Sequence, residues 1–500
     1  MKKFAKLFAC ALVFALIASL FMLNTSAAAV TDPNELKPTS DSVVFIMDEP
    51  EGGTLPGDGT GKDANNPYQP IDHEGYNPNA EPGQLKQHLQ TAFYQASELL
   101  EKTGGTIVVC GPVHLGPDDT WGTVSGTTRD VYLAKNGTNT IKITSKYDGV
   151  DNRETNGAKI TLEAPAEIGT FGQTNWEYID IETIGSDRVI SFNDFATLVG
   201  EGVNCYPKEE LYAAVPSMYI SLSSGHRYNG GVDKTPNLVV KSGTYNIISA
   251  SIWGVNNNRS FKDDGSIRTT SNHDGATNAK LVLEGTTKVL GQVIGTTRFR
   301  AEFSGATEII INGGTYPCDI VCSGITGFSN REGIATLRIN GGDFKDAWVI
   351  SPVTEGNMGN APAASLLDLS GFKGDNAQLA KVYSLAANAG FTSIKLPDGV
   401  NADQLAQITP PVSATTPSGN GGTTITPEGD NNGQGGIIIG GDDAESTYDK
   451  QNGGKVDIDG ESGNNMMLIV VIIAAVVIVA LVVVIIVILS KNKKTSKEEK

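Results

Sequence analysis

Cysteine is scarce in this chain. Five occur among 500 residues, and one of them, Cys10, falls in an N-terminal apolar segment. The other four, Cys110, Cys205, Cys318 and Cys322, are too few and too scattered for a disulfide framework. Cys318 and Cys322 would lie about 13 Å apart on an extended strand, so a bond between them needs a turn. Buried thiols are the expectation. Positive charge is also short: Lys and Arg total 38 against 56 Asp and Glu, a formal net charge of −18. That balance argues against nucleic acid as a partner. It also disfavours direct contact with anionic polymers unless a divalent cation bridges them. What the chain has in quantity is glycine, 58 residues, which suits a fold with many tight corners.

One phrase recurs. Glu308-Ile-Ile-Ile-Asn-Gly-Gly-Thr-Tyr316 returns 28 residues later as Thr336-Leu-Arg-Ile-Asn-Gly-Gly-Asp-Phe344. Lys280-Leu-Val-Leu-Glu-Gly-Thr286 lies 28 residues before the first copy, and Asn237-Leu-Val-Val-Lys-Ser-Gly-Thr-Tyr245 a further 43 before that. Such a period marks stacked units, each too small to bury its own apolar face. Within each copy aliphatic residues alternate with polar ones, the pattern of a half-buried strand. A Gly-Gly or Ser-Gly pair then turns the corner. No helical pattern separates the copies, so alternating βαβ units are excluded and successive strands should pair in parallel. Ile309 and Leu337 are expected in one inward column, Ile311 and Ile339 in another. A further rung fits Leu367 and Leu369. Shorter alternating runs at 141–143, 160–162, 179–181 and 198–199 read as earlier rungs. The asparagines Asn312 and Asn340 recur at equivalent corners, where a ladder of turn side chains is a structural device.

On these repeats, residues 104–400 resemble the right-handed parallel β-helix of the pectate-lyase-like superfamily. The resemblance implies an all-β solenoid. It implies no single activity, because that fold carries lyases, hydrolases, adhesins and inert stalks alike.

The flanks suggest placement. A basic start, an apolar run from Leu7 and a small-residue segment at Ala27-Ala28-Ala29 read as a secretory signal, residues 1–28. Residues 31–103 should supply a strand at 43–47, an Asp- and Gly-rich loop, and an amphipathic helix over 84–102 that caps the open end of the stack. Residues 409–465, rich in Gly, Ser, Thr, Pro and Asn, read as a flexible linker. Residues 466–489 are an uninterrupted apolar run, longer than the roughly 20 residues that span a bilayer. Lys491, Lys493, Lys494 and Lys497 follow it, so 490–500 reads as a basic cytoplasmic tail with the bulk of the chain extracellular. No LPxTG-like sorting signal precedes the run, so the helix itself is the expected anchor.

Chemistry is thinly marked. The coil from Leu238 to Leu281 carries a surplus at 256–275, and such an insertion maps to a loop on one face. It holds Asp263, Asp264, His273 and Asp274. Arg298 and Arg300 follow across the next coil. These are the residue types of polysaccharide cleavage: paired carboxylates in hydrolases, calcium on carboxylates and a basic residue in lyases. The spaced blocks of the hydrolases and the Asp and Arg set of the lyases are not reproduced, and Asp-Asp-Gly and His-Asp-Gly are good turn sequences. Trp253 and Trp348 occupy similar places in their coils, where exposed rings could stack on sugars. No metal site is marked, and calcium is the one cofactor the residue types would admit. The expectation is a membrane-anchored protein of a bacterial cell surface that binds a glycan, matrix component or other cell without catalysis. A tethered polysaccharide lyase or glycoside hydrolase is the alternative.

Overall fold

The structure is a computed structural model that describes residues 32–48, 57–68, 92–115, 130–133, 139–163, 167–170, 172–186, 188–192, 196–224, 237–250, 278–295, 306–323, 334–353 and 364–412. The expected signal, linker, apolar run and basic tail lie outside these residues. Among the described residues no helix is long and apolar enough to cross a membrane.

The chain is a parallel β-solenoid. Eleven short strands form one long sheet, in which every pairing is parallel. Chain order and sheet order coincide, because each coil contributes one strand laid on the strand of the coil before. The alternation read from sequence sets the register. Leu238 pairs with Leu281, Leu281 with Ile309, Ile309 with Leu337, and Leu337 with Leu367. One column over, Ile311 faces Ile339. All seven are fully buried in a single continuous core. Burying each such side chain contributes roughly 1.5–3 kcal/mol.

A second sheet of eight parallel strands closes each coil, from Asp130–Leu133 up to Ile350–Ser351. Its inward column runs through Ile190, Leu222, Ile248, Val293, Ile320 and Ile350. In the N-terminal half a third sheet intervenes, made of Pro112–Leu115, Lys159–Glu163, Asp180–Ile184 and Asn204–Pro207. It ends there. In later coils that face narrows to a corner, where single bridges link Lys288 to Thr315 and Thr315 to Asp343. Gly314 shows why the corner needs glycine: φ is +96°, and a Cβ would lie 2.5 Å from the Thr287 carbonyl oxygen. Beside it Asn340 donates to Asn312 at 2.9 Å, the expected ladder, and Tyr316 stacks on Phe344 with centroids 5.3 Å apart.

Both ends of the stack are covered. The free edge of the first strand, Val43–Ile46, is met by the loop 57–68. There Phe45 N–H donates to Gly61, and Tyr68 N–H returns a bond to Phe45 at 2.8 Å. The helix expected over 84–102 is described at Ala92–Leu100, with 84–91 outside the described residues. Ala92, Phe93, Ala96 and Leu100 enter the core, and Phe93 meets Trp176 edge-on. Leu99, which the spacing counts on the apolar face, is 57 % exposed, because Leu100 takes the inward position beside it. At the far end helices Asn376–Ala386 and Ala402–Ile408 bury Leu379, Val382, Leu385 and Leu405. Val412 N–H donates to the Ser384 carbonyl oxygen at 3.0 Å.

The outward side chains carry a feature not visible in the periodicity. Leu198 and Val239 sit on the outer face of the long sheet and yet are buried, packed with Leu36 and Ala196. Leu36 belongs to an N-terminal arm laid across three rungs. Asn175 donates to its carbonyl, and Thr39 and Ser40 hydrogen-bond to Thr103 and Gly104.

The columns predict unequal costs for neighbouring positions. Leu337→Ala should lower stability by about 2–5 kcal/mol, the range for an aliphatic side chain deleted from a packed core. Ile310→Ala, outward and half-buried, should cost about 1 kcal/mol or less. Denaturant midpoints of the two variants measure the contrast.

Candidate functional site

In the C-terminal half each long stretch between described strands runs from the end of a strand in the eight-stranded sheet to the start of one in the long sheet. The chain departs the eight-stranded sheet at Ser223, Ser249, Ile294, Val321 and Ser351 and rejoins the long sheet at Asn237, Ala279, Thr307, Ile334 and Ala364. The other corner is turned by tight Gly-containing segments. Trp253, Asp263, Asp264, His273 and Asp274 fall in the connection between Ser249 and Ala279. Arg298 and Arg300 fall in the next, between Ile294 and Thr307. The strands that flank these two connections are paired neighbours. The residues themselves lie outside the described part.

Trp348, the other expected aromatic, is described and is 57 % exposed, so it does not pack into the core. It stands where the chain enters the last strand of the eight-stranded sheet. One rung earlier in that sheet, level with Val349 and not with Trp348, is Asp319, whose Oδ1 is buried and has no hydrogen-bond partner among the described residues. Burial pushes the Asp319 carboxyl up to about 6. Gln292 is its register partner one rung earlier still. A β-bulge precedes Gln292: Tyr245 faces Val289, but Ile247 faces Gln292, so an extra residue is accommodated there. Sequence reasoning had no signal for Asp319, because a single Asp at a strand start looks like any turn residue.

The densest charge cluster lies elsewhere, on the insertion 146–156. Arg153 binds the Asp151 carboxylate through Nε and Nη2 at 2.9 and 2.6 Å, reaches Asp180 at 3.4 Å and donates to the Gly202 carbonyl at 2.7 Å. The hydrogen bonds from Arg153 hold the Asp151 carboxyl below the usual range, and Asp151 holds the guanidinium up. Tyr178, in the left-handed region at φ 48°, lies with Lys146 4.7 Å and Arg153 5.7 Å from its ring. These groups satisfy one another and pin the insertion to the coils that follow, which is a structural role. On the long sheet Lys280, Glu308, Arg338 and Asp368 likewise pair from coil to coil.

All four described cysteines are unbridged and buried. Burial pushes Cys110 and Cys205 up to about 12, and Cys318 and Cys322 further still. At neutral pH they are protonated thiols, unsuited to nucleophilic or ligand roles. Among the described residues no group of three or more His, Cys, Asp or Glu could hold a metal ion.

Two measurements follow from these environments. Cys110, Cys205, Cys318 and Cys322 should stay unreactive toward a water-soluble disulfide reagent in the native chain and react together once denaturant is added. For Asp319 the folded pKa is raised from 3.8 to about 6. The folded chain therefore holds this proton more tightly than the unfolded chain. Its contribution to stability is present in full below 3.8 and lost as pH rises through about 6. Asp319→Asn should flatten the stability profile across that window and raise the unfolding midpoint at pH 7, as read by thermal melts at stepped pH.

No protein-family model matches this chain, and neither do curated proteins or solved structures.

Proposed function

We propose that this chain is a membrane-anchored protein of a bacterial cell surface whose solenoid binds glycans without cleaving them. The observation that carries the reading is the grouping of connections. In the C-terminal half five long stretches each run from a strand of the eight-stranded sheet to a strand of the long sheet, so their described ends share one corner, which suits recognition there. An exposed indole at Trp348 on the adjoining sheet suits contact with sugar rings. The signal-like start and the apolar run at 466–489 support display outside the cell, on a linker, with the basic tail in the cytoplasm. The winding is read as right-handed, in keeping with the resemblance to pectate-lyase-like solenoids. No cofactor is required in this reading, and the acidic balance points away from nucleic acid.

A second reading is favoured by one specific feature. Asp263, Asp264, His273 and Asp274 lie in the connection next to the one that carries Arg298, which is what a surface-tethered lyase or glycoside hydrolase would use. Calcium on those carboxylates would belong to that reading.

The experiment is incubation of the detergent-solubilised full chain with immobilised pectin, alginate, glycosaminoglycans, mucins and neutral glucans and mannans. Retention of the protein without new reducing ends or unsaturated products is the expected result. Release of such products would establish the enzymatic reading, and no retention on any polymer would overturn glycan binding.

A further inference from the structure

The long sheet is finished differently at its two ends. At the start, the chain's own loop takes the outer side of Val43–Ile46. Phe45 N–H donates to the Gly61 carbonyl at 2.9 Å, and Met47 N–H to the Tyr68 carbonyl at 3.1 Å. At the far end the last strand, Ser393–Lys395, is paired on one side only among the described residues, with Ala364–Asp368. Leu369 N–H donates to the Lys395 carbonyl at 2.8 Å. Successive residues of a parallel ladder bond to opposite sides, so the N–H and carbonyl of Ile394 point away from the sheet. An edge of that kind is a template for one more strand.

The apolar columns are open at the same end. Leu281, Ile309, Leu337 and Leu367 are fully buried, yet Ile394, level with Leu367, is only half-buried. Leu283, Ile311, Ile339 and Leu369 are fully buried too, yet Leu396, two residues beyond Ile394 on the same face, is covered in part. The two C-terminal helices fill the interior of the last coil through Leu379, Val382, Leu385 and Leu405, and leave these two positions partly open.

The sequence beyond Val412 contains a segment of the right kind. Between 413 and 465 three consecutive apolar residues occur once, as Ile437-Ile438-Ile439, and Gly440-Gly441 follow. The rung at Thr307–Ile311 carries the same triplet, Ile309-Ile310-Ile311. Leu283, in the same column as Ile311, is followed two residues on by Gly285 at φ +61°, the place that Gly441 holds after Ile439. Ile437 follows Ile394 by 43 residues, the interval that separates the paired residues Leu238 and Leu281, so the solenoid already contains a coil of that length. Val412 is fixed to the rod, since its carbonyl accepts from Asn388 Nδ2 at 3.0 Å. The 24 residues from 413 to 436 can span up to about 80 Å when extended, so reach sets no limit. A segment on the same chain also has the advantage of effective concentration over a second molecule.

We propose that residues 437–439 dock on the outer side of Ser393–Lys395 as a further parallel strand of the long sheet. Ile437 lies on Ile394 and Ile439 on Leu396, which closes both columns. Ile438 stands outward beside Lys395, and the outward N–H and carbonyl of Ile394 gain partners. The docking is independent of the glycan reading above.

The test is hydrogen exchange of the detergent-solubilised full chain, read by mass spectrometry on peptides covering 391–397 and 434–441. The variants are the double substitution Ile437→Ser with Ile439→Ser and, as control, Ile425→Ser. The expected result is protection of both peptides that the double variant reduces by about tenfold or more and the control leaves unchanged. Thermal melts keep loss of docking apart from loss of fold, because the rod below Ser393–Lys395 retains its own pairing. Disulfide trapping gives a second readout. Lys395→Cys with Ile438→Cys should close within one chain on mild oxidation, without competition from the four buried cysteines, and Lys395→Cys with Ile425→Cys should not. Rapid exchange at 434–441 in the native sequence would overturn the docking, as would protection at 391–397 that survives the double variant. Protection that rises with protein concentration, together with cross-links between chains, would give the edge to a second copy and overturn it as well.

Discussion

Stacking in register is the constraint on which the rest of this molecule depends. A strand of four or five residues with two inward aliphatics cannot hold itself together, but laid on an identical strand it shares every backbone hydrogen bond and extends two apolar columns. The pairs Leu281–Ile309–Leu337 and Leu283–Ile311–Ile339 are repeated instances of one contact. Because a one-residue slip would turn each column outward, register is strictly held wherever a core lies beneath. Corners carry the tolerance instead. The coil that begins at Leu238 is longer than those at Leu281 and Ile309, and the surplus leaves both sheets intact.

The same logic governs the outside. The long sheet has unpaired edges only at its ends, and here each end is met: loop 57–68 and the helix Ala92–Leu100 at one, two helices at the other. Along the rod the long sheet carries charges that alternate from coil to coil, Lys280 to Glu308 to Arg338 to Asp368. Exposed pairs of this kind contribute little individually, but they favour one register over its neighbours. Where the outer face is apolar, at Leu198 and Val239, Leu36 covers it.

Some of this was open to reading from the chain and some was not, for reasons that can be stated residue by residue. Ile309, Ile311, Leu337 and Ile339 announce themselves, because period-2 alternation and a fixed repeat act locally and in every copy. The asparagine ladder is legible for the same reason. The third sheet of the N-terminal half is not, since its strands at 159–163 and 180–184 look like any other rung. The burial of Leu198 is hidden too, because its cover, Leu36, is far away in sequence and follows no period. The candidate site divides the same way. Trp348 is noticeable as a rare residue at a repeated position. Asp319 and Gln292 are ordinary letters until the register and the bulge bring them into line.

What the sequence determined by itself is the repeat: the residues that face inward, the corners that need glycine, and the parallel stacking that follows when no helix separates the copies. These are consequences of local periodicity and of backbone geometry at each turn. Only the tertiary structure decided where one sheet ends, what covers the outer face of another, and which outward residues become neighbours. Those facts depend on how many residues each corner consumes, and that number accumulates along the chain before it is converted into position in space.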